Sequence, residues 1–173
     1  TELENLIDPL HALYSQVGFD FLCLDINGDG WEDILVSLPY YNESRGIVSQ
    51  LIAKRENNKF SKFLSATNLI GDDQENCLFG YSFTLVGDLN EDGIQDIAIS
   101  APFCSKEIGG GCIYIYLSRR NLEFSDPYFQ KICESSFQNS LYSFGMRIKS
   151  GFEGPVIPKL DLAISAPLSN TII

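Results

Sequence analysis

The stretch from Phe79 to Pro102 reads FGYSFTLVGDLNEDGIQDIAISAP and carries the clearest signal in the chain. At its centre lies a loop of the form D-x-N-x-D-G-x-x-D, with oxygen-bearing side chains at positions 1, 3, 5 and 9. A chain that curls around a hard cation uses this pattern, because alternate residues point inward and supply carboxylate or amide oxygens. Glycine at position 6 permits the sharp turn, since it has no Cβ to clash at positive φ. The pattern therefore predicts a metal-binding loop.

The same loop pattern occurs once more, 63 residues earlier, which makes a chance match an unconvincing explanation. Each loop offers three aspartates, one asparagine and the backbone carbonyl at position 7. An all-oxygen set without clustered His or Cys favours calcium over zinc, and the number of protein oxygens favours calcium over magnesium. The sequence therefore predicts two Ca²⁺ sites, whose ligands would be Asp25, Asn27, Asp29, Trp31 and Asp33 in the first loop and Asp88, Asn90, Asp92, Ile94 and Asp96 in the second.

Two other structures share parts of this loop pattern. Each Asp-Gly pair could simply form a turn in which Asx side chains bond their own backbone, although two copies followed by similar strands favour metal binding. An EF-hand needs Glu at position 12 and a helix on each side, whereas position 12 is Val36 or Ile99. The residues that follow each loop are short apolar runs bounded by Pro, which predict buried strands.

The bulk composition describes a globular protein and excludes some partners. The chain has 173 residues, of which 45% are hydrophobic and 20% charged, and its net charge is −11. Such a charge argues against a nucleic acid or an anionic membrane surface as partner. No signal peptide and no apolar run of transmembrane length occurs, and the chain starts without Met, so we expect an excerpt of a longer protein.

Turn signals divide the chain into units of four short strands. In the first unit we expect strands at 19–24, 34–38, 46–53 and 60–66, with a charged turn at 54–59; in the second, strands at 82–86, 97–100, 111–117 and 128–133. A third unit should show only its first two strands. Phe79-Gly80 recurs 65 residues later as Phe144-Gly145, and Ser100-Ala-Pro102 recurs as Ser165-Ala-Pro167.

A four-stranded unit that repeats at this period predicts the blades of a β-propeller. An immunoglobulin-like sandwich is the structural rival, but a sandwich does not repeat a loop motif every four strands. We therefore expect an all-β fold in which residues 1–173 form a propeller fragment of antiparallel four-stranded blades. The repeats would span about 14–66, 78–134 and 143–173, the last one truncated.

The five cysteines and one sequon point weakly to an extracellular compartment. Cys104 and Cys112 flank a Gly-rich stretch between two strands, where we expect a disulfide across the hairpin base. Cys77 and Cys133 could pair or stay free, and Cys23 is expected to be a small buried hydrophobe. Asn42-Glu-Ser44 is the glycosylation sequon and lies in an expected loop.

These motifs together resemble the FG-GAP repeat of the integrin alpha-chain β-propeller. FG, GDLNEDG, DIAISAP and GGGCIYIY follow one another in the second unit, which is the closest match. The first unit lacks a clear FG pair, and Val17-Gly18 is the nearest candidate. In the third unit Glu153, Pro155 and Ile157 stand where the second loop has its first three ligands, so we expect no calcium there.

The resemblance implies a fold, a location and partners. The fragment would be similar to blades five to seven of a seven-bladed propeller, in the extracellular head of a single-pass cell-membrane receptor for cell adhesion and signalling. Its partners would be an integrin beta subunit, forming a heterodimer, and a matrix or cell-surface protein ligand. Contact with the membrane would come only through a transmembrane helix outside this fragment. In that family the calcium loops lie on the face away from the ligand.

Other classes of function stay open at this point. FG-GAP repeats also occur beside hydrolase domains, as in glycosylphosphatidylinositol-specific phospholipase D, and a secreted calcium-binding propeller without a receptor role is a third reading. A transmembrane helix downstream in the parent chain would favour the integrin, and a hydrolase domain upstream would favour the enzyme. We expect no catalysis from these residues, since His11 is the single histidine and no nucleophile motif accompanies it.

Overall fold

The computed structural model describes residues 14–65, 67–104, 110–119, 124, 127–134, 143–153 and 159–167. They form an all-β fold of consecutive antiparallel sheets, as expected for blades of a partial FG-GAP propeller. The first sheet contains β1 (Phe21–Leu24), β2 (Asp33–Leu38), β3 (Ile47–Glu56) and β4 (Lys59–Ser65), in that order. The second contains β5 (Phe83–Gly87), β6 (Asp96–Ala101), β7 (Cys112–Tyr116) and β8 (Gln130–Cys133). A final pair contains β9 (Ile148–Glu153) and β10 (Lys159–Ile164).

The second sheet is covered on both faces, which explains its continuous apolar strands. Every residue of β6 and β7 is buried. One core cluster joins the first and second sheets through residues such as Leu35, Phe79 and Tyr114. The other joins the second sheet to the β9–β10 pair through residues such as Ile113 and Ile148. The sheets are thus stacked in chain order, the arrangement of successive propeller blades.

Glycines at the start of the third strand let each unit approach the next one closely. A Cβ on Gly46 would lie 2.1 Å from the carbonyl oxygen of Phe79, and a Cβ on Gly111 would lie 1.9 Å from that of Phe144. No side chain fits at such distances, so only glycine is compatible with this contact. The FG pair of each later unit is therefore seated against the preceding unit, and its phenylalanine enters the joint between two blades.

The turn between β3 and β4 is shorter than expected. Residues 54–59 were predicted to form it, but β3 continues through Glu56 and only Asn57 and Asn58 connect the strands. Their φ values are 53° and 61°. A two-residue hairpin connection favours positive φ at both positions, because that backbone matches the twist of the flanking strands, and asparagine tolerates it. The charged residues before it continue the ladder.

The predicted Cys104–Cys112 disulfide is wrong. Cys77 pairs with Cys104, and Cys112 pairs with Cys133. The strand register is the reason, since Cys112 lies directly opposite Cys133 in the β7–β8 ladder. Cys104 lies beyond the end of β6, where the backbone N–H of Phe103 reaches the carbonyl of Cys77.

The free cysteine also differs from expectation. Cys23 was expected to be buried, but it is exposed on β1. The alternation along this short strand turns Leu24 towards the core and leaves Cys23 on the other face. His11 and the residues 154–158, which replace the calcium loop of the third unit, lie outside the described residues.

Candidate metal centres

Both predicted loops join the first two strands of a sheet. The first spans residues 25–32, between β1 and β2, and the second spans residues 88–95, between β5 and β6. The two loops lie side by side and enclose a cleft of about 230 Å³, lined by Leu24, Asp25, Gly28, Gly30, Gly93, Ile94 and Gln95. Neighbouring blades therefore present the two loops at the same end of the fold.

The side-chain oxygens of the first loop are turned onto the loop's own backbone. Asp25 accepts hydrogen bonds from three backbone N–H groups, at 2.8, 3.1 and 2.8 Å. Asn27 and Asp29 each accept one, at 3.0 and 2.9 Å. The donors are the N–H groups of Gly28, Asp29, Gly30 and Trp31. These Asx contacts hold the loop in a tight curl, with its carboxylates gathered on one short segment.

The second loop repeats this geometry. Asp88 accepts hydrogen bonds from the N–H groups of Asp92 and Gly93, at 3.0 and 2.7 Å. Asn90 accepts one from Asp92 at 3.2 Å, and Asp92 accepts one from Ile94 at 2.9 Å. Because the same acceptors recur at the same positions, the pattern read from the sequence specifies one local structure twice.

The aspartate at position 9 ties each loop to the third strand of its blade or to the residues directly after that strand. The carboxylates of Asp33 and Asp96 are fully buried. Asp33 accepts hydrogen bonds from the N–H of Ile26 at 3.1 Å and of Ala53 at 2.8 Å. Asp96 accepts them from Leu89 at 2.6 Å and Ser118 at 2.7 Å. Each carboxylate thus holds two backbone donors, of which those of Ile26, Ala53 and Ser118 would otherwise be buried without a partner.

Burial and the neighbouring carboxylates both disfavour the charged form of the buried aspartate of the first loop. Burial raises the pKa of Asp33 above its ordinary value. The backbone N–H groups of Ala53 and Ile26 oppose this shift, whereas the charges of Asp29 and Asp25 add to it. A cation near these carboxylates would relieve their repulsion.

The donor chemistry fits a hard cation. Each loop supplies three carboxylates and one amide oxygen, the ligand types that Ca²⁺ takes. Within the described ranges, however, no group of three or more His, Cys, Asp or Glu side chains is placed to hold a metal ion. Most of the loop carboxylate oxygens face backbone N–H groups instead, as the contacts above show. Binding would require the side chains at positions 1, 3 and 5 to exchange some of these contacts for the cation.

The structure also shows contacts that the pattern did not predict. The hydroxyl of Ser118 lies 3.0 Å from Asp96 Oδ1 and 3.4 Å from Asp92 Oδ1, and its carbonyl accepts a hydrogen bond from Asn90 at 2.8 Å. Beside the first loop, the guanidinium of Arg55 lies 4.0 Å from the ring centroid of Trp31. Trp31 is 43% exposed, whereas Ile94 at the same position is buried. Ala53 and Ser118 are 65 residues apart, close to the 63-residue separation of the two loops, so the repeat was the available signal for the Ser118 contact.

The sequon lies at the opposite end of the first blade. Asn42 belongs to a short turn, α1 (Tyr41–Ser44), that connects β2 to β3. Asn42, Glu43 and Ser44 have φ values of 46°, 58° and 58°. The N–H groups of Asn76 and Leu78 bond the carbonyls of Glu43 and Ser44, at 3.1 and 2.9 Å. These contacts hold the turn, and the side chain of Asn42 is exposed.

Comparison with known proteins agrees with the repeat architecture. The FG-GAP repeat model matches residues 79–106. Integrin alpha-3 of Cricetulus griseus is 39% identical over 94 residues, which cover 54% of this chain. Integrin alpha-IIb of Mus musculus is 32% identical over 84% of the chain, and integrin alpha ina-1 of Caenorhabditis elegans is 29% identical over 93% of it. The chain is a homologue of integrin alpha chains.

This integrin alpha homologue corresponds to a small part of the proteins it resembles. It spans 9%, 15% and 15% of the length of the three relatives named above. Among its described residues no helix is long and apolar enough to cross a membrane. The similarity therefore applies to the propeller region, and the activity of the whole protein is a separate question.

Proposed function

We propose that this chain is part of the extracellular ligand-binding head of an integrin alpha subunit, a receptor for cell-matrix or cell-cell adhesion and signalling. The observation that carries the proposal is the D-x-N-x-D-G-x-x-D loop, which recurs with the same hydrogen bonds in two consecutive blades of a chain homologous to integrin alpha. We assign the fragment a binding and structural role rather than a catalytic one.

The partners and location follow from the same proposal. The subunit would form a heterodimer with an integrin beta subunit at the cell membrane and bind a matrix or cell-surface protein on the extracellular side. Co-precipitation of a beta subunit with the epitope-tagged full chain from cells tests this. Recovery of the full chain from the cell surface without any beta subunit would contradict it.

Within this head, we propose that each loop holds one Ca²⁺. The ion would offset the repulsion among the three aspartates of its loop and so stabilise the connection between the first two strands of the blade. Asp33 and Asp96 would bind the ion and at the same time hold the far side of the blade, since they accept the N–H of Ala53 in β3 and of Ser118 just after β7. Extracellular modules of this kind bind with a dissociation constant of ~10⁻⁴–10⁻³ M. At a calcium concentration about ten times the dissociation constant, each site would add about 1.4 kcal/mol to the free energy of unfolding.

Calcium-dependent thermal unfolding of the full chain tests this role. Calcium should raise the unfolding midpoint of the wild type, and Asp25→Ala/Asp88→Ala should lose most of that gain. A Glu56→Gln/Asp73→Asn variant, which removes two negative charges from exposed side chains outside both loops, controls for the change in net charge. An equal response of wild type and loop variant would mean that the loops are only turns.

Two further assignments belong to the proposal. The repeats would span about 14–66, 78–134 and 143–173, and Asn42 would carry an N-linked glycan on the extracellular side. Treatment of the full chain with an N-glycosidase should convert Asn42 to Asp, with a mass change that Asn42→Gln abolishes. An unmodified peptide containing Asn42 would contradict the glycan.

A further inference from the structure

The two loops are joined to the third strand of their blades by different side chains. In both blades a buried aspartate accepts a backbone N–H, that of Ala53 in β3 in the first and that of Ser118, two residues after β7, in the second. These two residues therefore occupy equivalent places. Ser118 adds a hydroxyl that contacts both Asp92 and Asp96. Alanine has no such group, so the first loop lacks this contact.

A stack of aromatic and cationic side chains lies where the first loop meets β3. The Arg55 guanidinium lies 4.0 Å from the ring centroid of Trp31 and 6.0 Å from that of Phe60. Phe60 in turn packs against Phe63, with ring centroids 5.0 Å apart. The Nε atom of Arg55 is buried and has no hydrogen-bond partner among the described residues. The faces of the aromatic rings are therefore its principal surroundings, which is the geometry of a cation–π contact.

The backbone explains why Arg55 reaches the loop. The β3–β4 register shifts between Lys54 and Arg55, so that Arg55 pairs with Phe60. Such an irregularity changes the direction in which a side chain points, compared with a regular ladder. Trp31 stands at position 7 of the loop, and only Glu32 separates it from the start of β2. Arg55 thus contacts the loop at the position where a backbone carbonyl ligand is expected.

We propose that Arg55 is a positioning residue for the first calcium loop. Its stack on Trp31 takes the place of the hydroxyl contact that Ser118 makes with the second loop. The proposal rests on the proposed calcium function. Arg55 does not bind the ion. By holding Trp31 against β3 it limits the conformations of the empty loop, and a loop already close to its bound shape binds with less entropic loss.

The positive charge of Arg55 and its positioning contact predict opposite effects of an Arg55 substitution on the calcium affinity of the first loop. A positive charge beside a cation site weakens calcium binding by repulsion, so its removal alone would tighten binding. Loss of a positioning contact would weaken binding instead. The sign of the change in calcium affinity therefore separates the two roles.

Hydrogen exchange of the full chain, followed by mass spectrometry during a calcium titration, reports each loop separately. For each loop it gives the calcium midpoint, the calcium concentration at which protection from exchange is half-maximal. In Arg55→Met the calcium midpoint of the peptide covering residues 25–33 should rise about threefold to tenfold, the range that a cation–π contact supports. The midpoint of residues 88–96 in the same sample should not move, which also shows that the variant is folded. Adding Ala53→Ser to Arg55→Met should recover the first midpoint to within about twofold, since the hydroxyl then stands where Ser118 has it.

Ser118→Ala provides the reciprocal variant, and it should raise the midpoint of residues 88–96 alone. An unchanged or lower midpoint for residues 25–33 in Arg55→Met would overturn the positioning role, as would an equal shift of both loops. If neither wild-type loop gains protection with calcium, the proposed calcium function fails, and the positioning role fails with it. If both wild-type loops respond to calcium but Arg55→Met leaves the midpoint of residues 25–33 unchanged, only the positioning role is overturned.

Discussion

The backbone N–H of Gly80 donates a hydrogen bond to the carbonyl oxygen of Ser100 at 2.9 Å, and this contact recurs in every unit. The corresponding pairs are Gly18 with Ser37 and Gly145 with Ser165, both also at 2.9 Å. In each unit the serine hydroxyl additionally accepts the N–H two residues after the glycine, at 2.7, 2.9 and 2.9 Å. Val17-Gly18 therefore occupies the place of the FG pair in the first unit, although it has lost the phenylalanine.

Loss of this serine hydroxyl should destabilise the blade where the contact is buried. Ser100→Ala leaves the buried N–H of Ser82 without its side-chain acceptor. The expected cost is about 1–3 kcal/mol of unfolding free energy, measured by denaturant titration of the full chain. Ser165→Ala is the matched control, because the N–H of Arg147 is exposed to water. Equal effects of the two substitutions would contradict a role for burial.

The glycine at the joint between blades should not tolerate a methyl group. In Gly111→Ala the new Cβ would overlap the carbonyl of Phe144, so the second and third units would have to separate. We expect a loss of about 1–3 kcal/mol, and thermal unfolding measures it. Gly151→Ala adds the same methyl in β9 with no atom within 4 Å. A Gly111→Ala variant as stable as Gly151→Ala would show that the joint adapts freely.

The aspartate at position 9 should stabilise its blade even without calcium. Asp96→Ala removes the acceptor of two backbone N–H groups, those of Leu89 and Ser118, from a buried position. In the presence of a chelator we expect a lower unfolding midpoint, because a buried donor without a partner costs about 1–3 kcal/mol. Asp92→Ala, at a half-buried position, should show most of its effect only when calcium is present. An equal drop in the unfolding midpoint of Asp96→Ala and Asp92→Ala in chelator would contradict a separate structural role for Asp96.

The cysteine pairing predicts a specific peptide map. Digestion without reduction should release linked peptides containing Cys77 with Cys104 and Cys112 with Cys133. Among these five cysteines only Cys23 should react with a maleimide reagent before denaturation, since it is free and exposed. Detection of a Cys104–Cys112 peptide would contradict the register of the β7–β8 ladder. Replacing Cys112 and Cys133 together should cost about 2–5 kcal/mol of stability.

Local spacing made both loops predictable. Asp88 and Gly93 are five residues apart, and a hydrogen bond between them needs no information from the rest of the chain. The strands on either side were predictable for a related reason, since buried apolar runs bounded by turn residues favour one backbone conformation. The predicted strands at 34–38 and 97–100 lie within β2 and β6. The turn predicted at 54–59 was too long, because the charged residues before Asn57 continue the β3–β4 ladder.

Contacts between distant segments required the folded chain. Cys112 faces Cys133 because of a strand register, and five cysteines alone allow several pairings. Arg55 reaches Trp31 because of an irregularity in the β3–β4 ladder, which no local pattern announces. The sequence on its own thus specified the loops, the strands and their repetition, since these depend on neighbours a few residues apart. Disulfide partners, the anchors of the two loops and the seating of Phe79 between blades depend on which strands lie opposite one another, and only packing of the whole chain establishes that.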